Sequence, residues 1–229
     1  MTPLVLLPGM MCDARLWTPL MGLWGRRAVL HAPITEGDDV GALADAVLEA
    51  APPRFALAGL SMGGIVAMEV VRRAPERVER LALLDTNPKA EAPAVAARRG
   101  PQVKRALAGG LRAVMRDEMK PNYLADGPGR EAVLDLCMEM ALGLGPEVFA
   151  RQSRALASRP DQRETLRGYG GPALVLMGEE DRLCPRERHE LMHSLLRNSR
   201  FGVIAGAGHL PVLERPIETG AMLAEWLEA

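Results

Sequence analysis

Hydrophobic positions along this chain gather in short unbroken runs separated by segments with helical spacing. Leu4-Val5-Leu6-Leu7, Phe55-Ala56-Leu57-Ala58, Leu81-Ala82-Leu83-Leu84 and Ala173-Leu174-Val175-Leu176-Met177 show no alternation, the pattern of strands buried on both faces. Ala28-Val29-Leu30-His31 and Arg200-Phe201-Gly202-Val203-Ile204 read as two further strands. Between these runs, Val40 to Ala50 carries apolar Val40, Leu43, Val47 and Leu48, and Pro216 to Leu227 carries Met222, Leu223, Trp226 and Leu227. A third helix follows Ser61 and ends at Pro75, and a fourth runs from Pro185 to Leu196 with Pro in its first turn. Strands alternating with helices argue for right-handed βαβ units and an α/β fold with a parallel sheet covered on both faces.

The alternation pauses between Pro88 and Tyr169, where every pattern is helical. Leu111, Val114, Met115 and Met119 form one amphipathic face, and Val148, Phe149, Ala155 and Leu156 form another. Glu131, Asp135 and Glu139 recur every four residues on an otherwise apolar segment, a narrow wet stripe on a mostly buried helix. The expectation is one domain over 1–229 with a helical lid inserted at about 88–169. Met115, Met119, Met138 and Met140 suit either an adaptable pocket or ordinary core filling.

Composition narrows the class of protein without specifying its chemistry. The 229 residues are 48% hydrophobic and 25% charged, enough for one well-buried core. A net charge of −1 gives no electrostatic footprint for nucleic acid or an anionic membrane surface. No stretch reads as a signal-peptide core or a membrane span, and Cys12, Cys137 and Cys184 lack metal-type spacing, so a cytoplasmic location with reduced thiols is expected.

The chemistry is concentrated at Gly59-Leu60-Ser61-Met62-Gly63-Gly64. A serine between glycines, ending one apolar run and opening a helix, has the pattern of a nucleophile elbow. The tight turn needs positions two before and two after the serine nearly free of side chain, which Gly59 and Gly63 provide. The helix beginning there aims unpaired N–H groups and its positive dipole end at the site of a developing anion.

A serine hydroxyl needs a base, and the base needs a third group to orient it. Asp181 and His209 each lie just after an apolar strand, as Ser61 does, so a parallel sheet would gather all three at its C-terminal edge. Their order, Ser then Asp then His, fits an elbow serine. Asp85, also at a strand end, is the rival acid, and Glu179 or Glu180 could substitute if the loop were displaced. Among the other histidines, His31 reads as structural. The oxyanion donors expected are the backbone N–H groups of Met62 and Met10, the latter from the loop after the first strand.

His189-Glu190-Leu191-Met192-His193 also matches the H-E-x-x-H pattern of zinc peptidases on a predicted helix. The apolar Leu191, Met192, Leu195 and Leu196 suggest that both histidines face water or the rim, and a third ligand is needed. Glu214 is the available downstream carboxylate, and a zinc hydrolase using His189 and His193 is kept as a remote alternative.

With Pro8-Gly9, Gly59-x-Ser61-x-Gly63, Gly178-x-x-Asp181 and Gly208-His209 in this order, the chain resembles an α/β-hydrolase-fold serine hydrolase over residues 3–86 and 172–227. Leu213-Glu214-Arg215-Pro216 adds to the likeness, while Pro8 stands where the family commonly has histidine. The resemblance maps the loop oxyanion donor to Met10. It also implies a six-stranded parallel sheet lacking the family's N-terminal hairpin. The activity implied is hydrolysis of a small carboxylic ester, lactone or thioester through an acyl-enzyme on Ser61, with no cofactor or metal. Carbon–carbon bond hydrolysis or a lyase reaction, and a non-catalytic ligand receptor, are the alternatives the same fold permits.

Overall fold

A computed structural model describes residues 1–229. Six strands, β1 (Leu4–Leu7), β2 (Val29–His31), β3 (Phe55–Leu60), β4 (Val78–Leu84), β5 (Ala173–Gly178) and β6 (Ser199–Ile204), form one sheet in the order β2-β1-β3-β4-β5-β6. Every neighbouring pair is parallel, as expected. The strands that read as continuous apolar runs are buried along their length at β1, β3 and β5.

The period-2 geometry of each strand divides the core in two. Val5, Leu7, Phe55, Leu57, Leu81 and Leu83 point to one face, where α1 (Val40–Ala50) and α2 (Met62–Arg73) pack. Leu4, Leu6, Ala56, Ala58, Ala82 and Leu84 point to the other, against Leu16, Trp17, Leu223 and Trp226. Full burial of each such leucine contributes about 1.5–3 kcal/mol of transfer free energy. Removing one to alanine would cost more, because the sheet cannot collapse to fill the gap.

The segment between β4 and β5 contains helices only: α3 (Pro93–Arg105), α4 (Leu111–Val114), α5 (Arg130–Ala157) and α6 (Arg163–Gly168), with π-type turns at Ala106–Gly110 and Met115–Met119. Along α5, Glu131, Asp135 and Glu139 are exposed while Cys137, Met138, Met140 and Ala141 are buried, which accounts for the four-residue acidic stripe. The helix breaks at Gly145, where φ is 84° and ψ 172°, and restarts with Pro146. Glycine accepts that backbone without a Cβ penalty, and proline suits the first turn of the second half.

After β5 come α7 (Arg186–Leu195), then β6, α8 (Pro211–Glu214) and α9 (Pro216–Glu228). The stretch after β1 forms an element that no run or helical spacing in the sequence marks. Ala14–Leu23 winds as a 3-10 helix with Pro19 inside it, started by Asp13, whose side chain accepts the Arg15 N–H at 2.9 Å. Its Leu16, Trp17 and Leu20 are fully buried, so tertiary packing shapes a segment whose Pro and Gly obscure any α-helical period. No helix is long and apolar enough to cross a membrane. All three cysteines are buried free thiols.

The strand order positions the site. The chain runs from β1 out to β2, returns across β1 to β3, and then proceeds steadily to β6. The direction reverses between β1 and β3, and the crevice beyond the carboxyl ends at such a switch point is where open α/β sheets bind ligands. The loops Pro8–Met11 and Ser61–Met62 flank that crevice.

Candidate active site

Ser61 sits at the turn from β3 into α2 with φ 53° and ψ −113°. An L-residue held there costs on the order of 1–3 kcal/mol, so its surroundings must over-determine it. They do so by hydrogen bonds: the Ser61 N–H donates to the Leu84 carbonyl at 2.8 Å, and the Thr86 hydroxyl donates to the Ser61 carbonyl at 2.7 Å. Space is equally tight. A Cβ on Gly59 would collide with the Gly63 carbonyl, and one on Gly63 would collide with the carbonyls of Leu7 and Pro8. Both elbow glycines are therefore required by close backbone approach, and neither by a positive φ.

His209 bridges the serine and the aspartate. Its Nε2 lies 2.9 Å from Ser61 Oγ, and its Nδ1 lies 2.9 Å from Asp181 Oδ2. With the carboxylate accepting at Nδ1–H, the free lone pair on Nε2 faces the serine hydroxyl. Asp181 Oδ1 accepts the N–H groups of Leu183 at 2.8 Å and Cys184 at 3.0 Å. Burial alone would raise the Asp181 pKa, but the facing imidazole and these hydrogen bonds outweigh it and hold the carboxyl below the usual range.

The histidine loop is fixed by groups to which sequence reading gave no such role. Glu214 on α8 accepts the N–H groups of Ala125 at 2.8 Å, Gly208 at 2.9 Å and Leu210 at 3.0 Å. Burial raises the Glu214 pKa, with these donors pulling the other way. The Tyr123 carbonyl accepts the His209 N–H at 2.6 Å, and the Tyr123 ring lies against the imidazole with centroids 6.2 Å apart. The signals for Glu214 were the likeness of Leu213-Glu214-Arg215-Pro216 to the family and a carboxylate four residues beyond Leu210, on the turn that Pro211 opens.

The loop after β1 is also braced. Met11 has φ 57°, and its N–H donates to Gln152 Oε1 at 2.9 Å. Gln152, wholly buried on α5, donates in turn to the Ile34 carbonyl at 2.9 Å. The Met10 N–H makes no hydrogen bond within the chain, and the Met62 N–H lies at the unpaired start of α2. Next to this loop lies a cavity of about 250 Å³, bounded by Pro8, Cys12, Trp17, His31 and Leu144 among others.

The remaining candidates fall elsewhere. Asp85 accepts the Gly178 N–H at 2.9 Å and makes no hydrogen bond to His209, while Glu179 and Glu180 are exposed. His31 is half-buried, with Nε2 3.2 Å from Met21 Sδ. The expectation that both histidines of H-E-x-x-H face water is corrected for His189, which is fully buried. Positions 189 and 192 share one face of α7, and His189 is buried there with Met192 and with Leu196, which caps the helix. His193 instead pairs with the Ser199 hydroxyl at 2.7 Å. The two groupings with metal-ligand proximity, Asp181-Cys184-His209 and Asp85-Asp181-His189, exclude His193, and Glu214 is occupied by backbone N–H groups. The zinc arrangement is not assembled.

Similarity to known proteins agrees with this geometry. A pimeloyl-[acyl-carrier protein] methyl ester esterase of Aromatoleum aromaticum is 28% identical over 208 residues, covering 82% of this chain and 80% of that protein. A thermophilic esterase from Thermogutta terrifontis superposes with a TM-score of 0.91 at 28% identity, over 100% of this chain and 90% of the other. The enol-lactonase from Burkholderia xenovorans LB400 shares the fold, with a TM-score of 0.86 at 21% identity over 100% of this chain and 92% of the other, as does a hydrolase from Pseudomonas aeruginosa, with a TM-score of 0.85 at 22% identity over 100% and 91%. The family model described as the alpha/beta hydrolase family matches residues 4–221, and this chain belongs to that family.

Proposed function

We propose that the chain hydrolyses small carboxylic esters through an acyl-enzyme on Ser61. The observation that carries this reading is the continuous relay from Asp181 Oδ2 to His209 Nδ1 and from His209 Nε2 to Ser61 Oγ, with 2.9 Å at each link. Ser61 Oγ attacks the ester carbonyl as His209 takes its proton, and the Met10 and Met62 N–H groups receive the oxyanion. His209 then gives that proton to the leaving alkoxide. Water attacks the acyl-enzyme with His209 again as base, releasing the acid and restoring Ser61.

The methyl ester named in the Aromatoleum relative supports an ester substrate with a small alcohol part. The cavity beside the loop after β1 offers a mainly apolar place for one side of such a molecule, and the helices at 88–169 serve as its lid. Lactones and thioesters present the same carbonyl to the same groups. No step calls on a cofactor.

The test pairs intact mass after a fluorophosphonate probe with p-nitrophenyl ester turnover, on the native chain and on Ser61→Ala. One adduct on Ser61, with turnover lost in both the labelled chain and the folded variant, is the expected result. Full esterase activity in Ser61→Ala would overturn the assignment.

A further inference from the structure

Behind Asp181 lies a second carboxyl that the relay does not use. Asp85 follows β4, is fully buried, and holds a left-handed backbone at φ 46°. Such a conformation is uncommon outside glycine, although aspartate tolerates it better than most residues. Its Oδ1 accepts the Gly178 N–H, while its Oδ2 is buried without an accepted hydrogen bond. Asp85, Asp181 and His189 each place a polar atom within 4.8 Å of the other two. His189 Nε2 is likewise buried and unpartnered.

Two buried carboxylates with oxygens within 4.8 Å of each other do not both remain ionised without a cation between them. The titratable groups facing Asp85 are Asp181 after β5, Cys184 and His189 at α7, and Glu214 on α8. None supplies a positive charge at neutral pH. Burial lowers the His189 pKa to about 4, so that imidazole is neutral. Asp181 is committed to the ionised form by His209 and by two backbone donors. The proton of the pair therefore belongs to Asp85.

We propose that Asp85 is a positioning residue that keeps a proton on Oδ2 and donates it as a hydrogen bond to the Asp181 carboxylate. This rests on the relay reading of Ser61, His209 and Asp181 given above. The same strand end serves the nucleophile, since Leu84 accepts the Ser61 N–H and Thr86 holds the Ser61 carbonyl. Asp85 thus connects the turn that aims the serine to the loop that aims the acid, and its second oxygen fixes that loop through Gly178. A neutral donor steadies Asp181 without adding a negative charge beside His209.

Asn and Leu at this position separate the idea from its rivals. Asp85→Asn keeps a carbonyl for Gly178 and an N–H donor for Asp181, so kcat/KM stays within about threefold of the native chain and its acidic limb stays within about 0.3 pH unit. Asp85→Leu removes both bonds and lowers kcat at least about tenfold with KM within about twofold. If Asp85 were ionised, Asp85→Asn would delete a charge beside the relay and move the acidic limb to lower pH. That shift, an Asp85→Asn chain that does not fold, or full activity in Asp85→Leu would overturn the proposal. Should Asp85→Leu fail to fold, the Asp85→Asn pH profile decides alone. Ser61→Ala tests the underlying relay independently: activity retained there defeats the relay, whereas a shifted limb in Asp85→Asn defeats only the role given to Asp85.

Discussion

Gln152 and Met11 lie 141 residues apart in sequence and are joined by a buried hydrogen bond of 2.9 Å from the Met11 N–H to the Gln152 carboxamide. The same carboxamide holds the Ile34 carbonyl, so one side chain of α5 closes the loop after β1 against the segment after β2. Met11 keeps its left-handed backbone because that N–H has a partner, and the preceding Met10 N–H makes no hydrogen bond within the chain.

Gln152→Leu strands a buried donor and a buried acceptor, at about 1–3 kcal/mol for each. Chemical denaturation should show that loss. Ester turnover should fall about tenfold or more in kcat with KM changed less, because the variant loosens the loop of the proposed oxyanion donor Met10 and leaves the rest of the cleft in place. Unchanged stability would refute the brace.

Asp181→Asn tests the orienting role with little change in shape. The amide presents a donor where Nδ1–H needs an acceptor, favouring the wrong tautomer of His209. A fall in kcat on the order of 10³–10⁴ is expected with folding retained. Steady-state kinetics on a p-nitrophenyl ester measures it.

Stability should rise with pH across the acid range through Glu69. This buried carboxylate on α2 accepts hydrogen bonds from Arg72, Arg73 and Gln162. Burial acts to raise its pKa, but those partners prevail and bring it from 4.5 down to about 2. A carboxyl depressed on folding contributes fully above its unfolded pKa, and that contribution fades as pH falls from about 4.5 to about 2. The amount is on the order of 2 kcal/mol, discounted because Arg72 is half exposed to screening solvent. Thermal denaturation of Glu69→Gln against the native chain should show a gap that narrows across that window.

The thiols should be inert while the chain is folded. Burial pushes the Cys137 pKa up to about 12 and raises those of Cys12 and Cys184, which suppresses the reactive thiolate. A disulfide reagent at mildly alkaline pH should titrate none of the 3 cysteines until denaturant is added. Fast labelling of the native chain would contradict this burial.

Sequence made the sheet legible because strands buried on both faces leave unbroken apolar runs, as at Leu4–Leu7 and Phe55–Leu60. Ser61, Asp181 and His209 were legible for a related reason: each stands at a strand end, and parallel strands bring their ends to one edge. The braces were not. Gln152 and Thr86 act on backbone groups far away in the chain, and nothing local distinguishes them from surface polar residues; Glu214 stood out in the sequence, but its hold on Ala125, Gly208 and Leu210 did not. The orientation of His189 is misread when Leu191, Met192, Leu195 and Leu196 are grouped as one apolar side opposite both histidines: Leu191 is only half-buried, while Met192 and Leu196, one and two turns on, mark the buried side that His189 shares.

The helical insertion between β4 and β5 also reaches into the chemistry, since it supplies the Tyr123 carbonyl to His209 and the Gln152 carboxamide to Met11. For engineering, it is therefore no interchangeable cassette. A graft of foreign helices onto this sheet would have to bring its own acceptors for both N–H groups, or the recipient would lose alignment of the proposed base and the proposed anion donor together. Variation aimed at substrate choice is better confined to wall positions such as Leu144, which borders the cavity near the Gly145 break and makes neither of those two bonds.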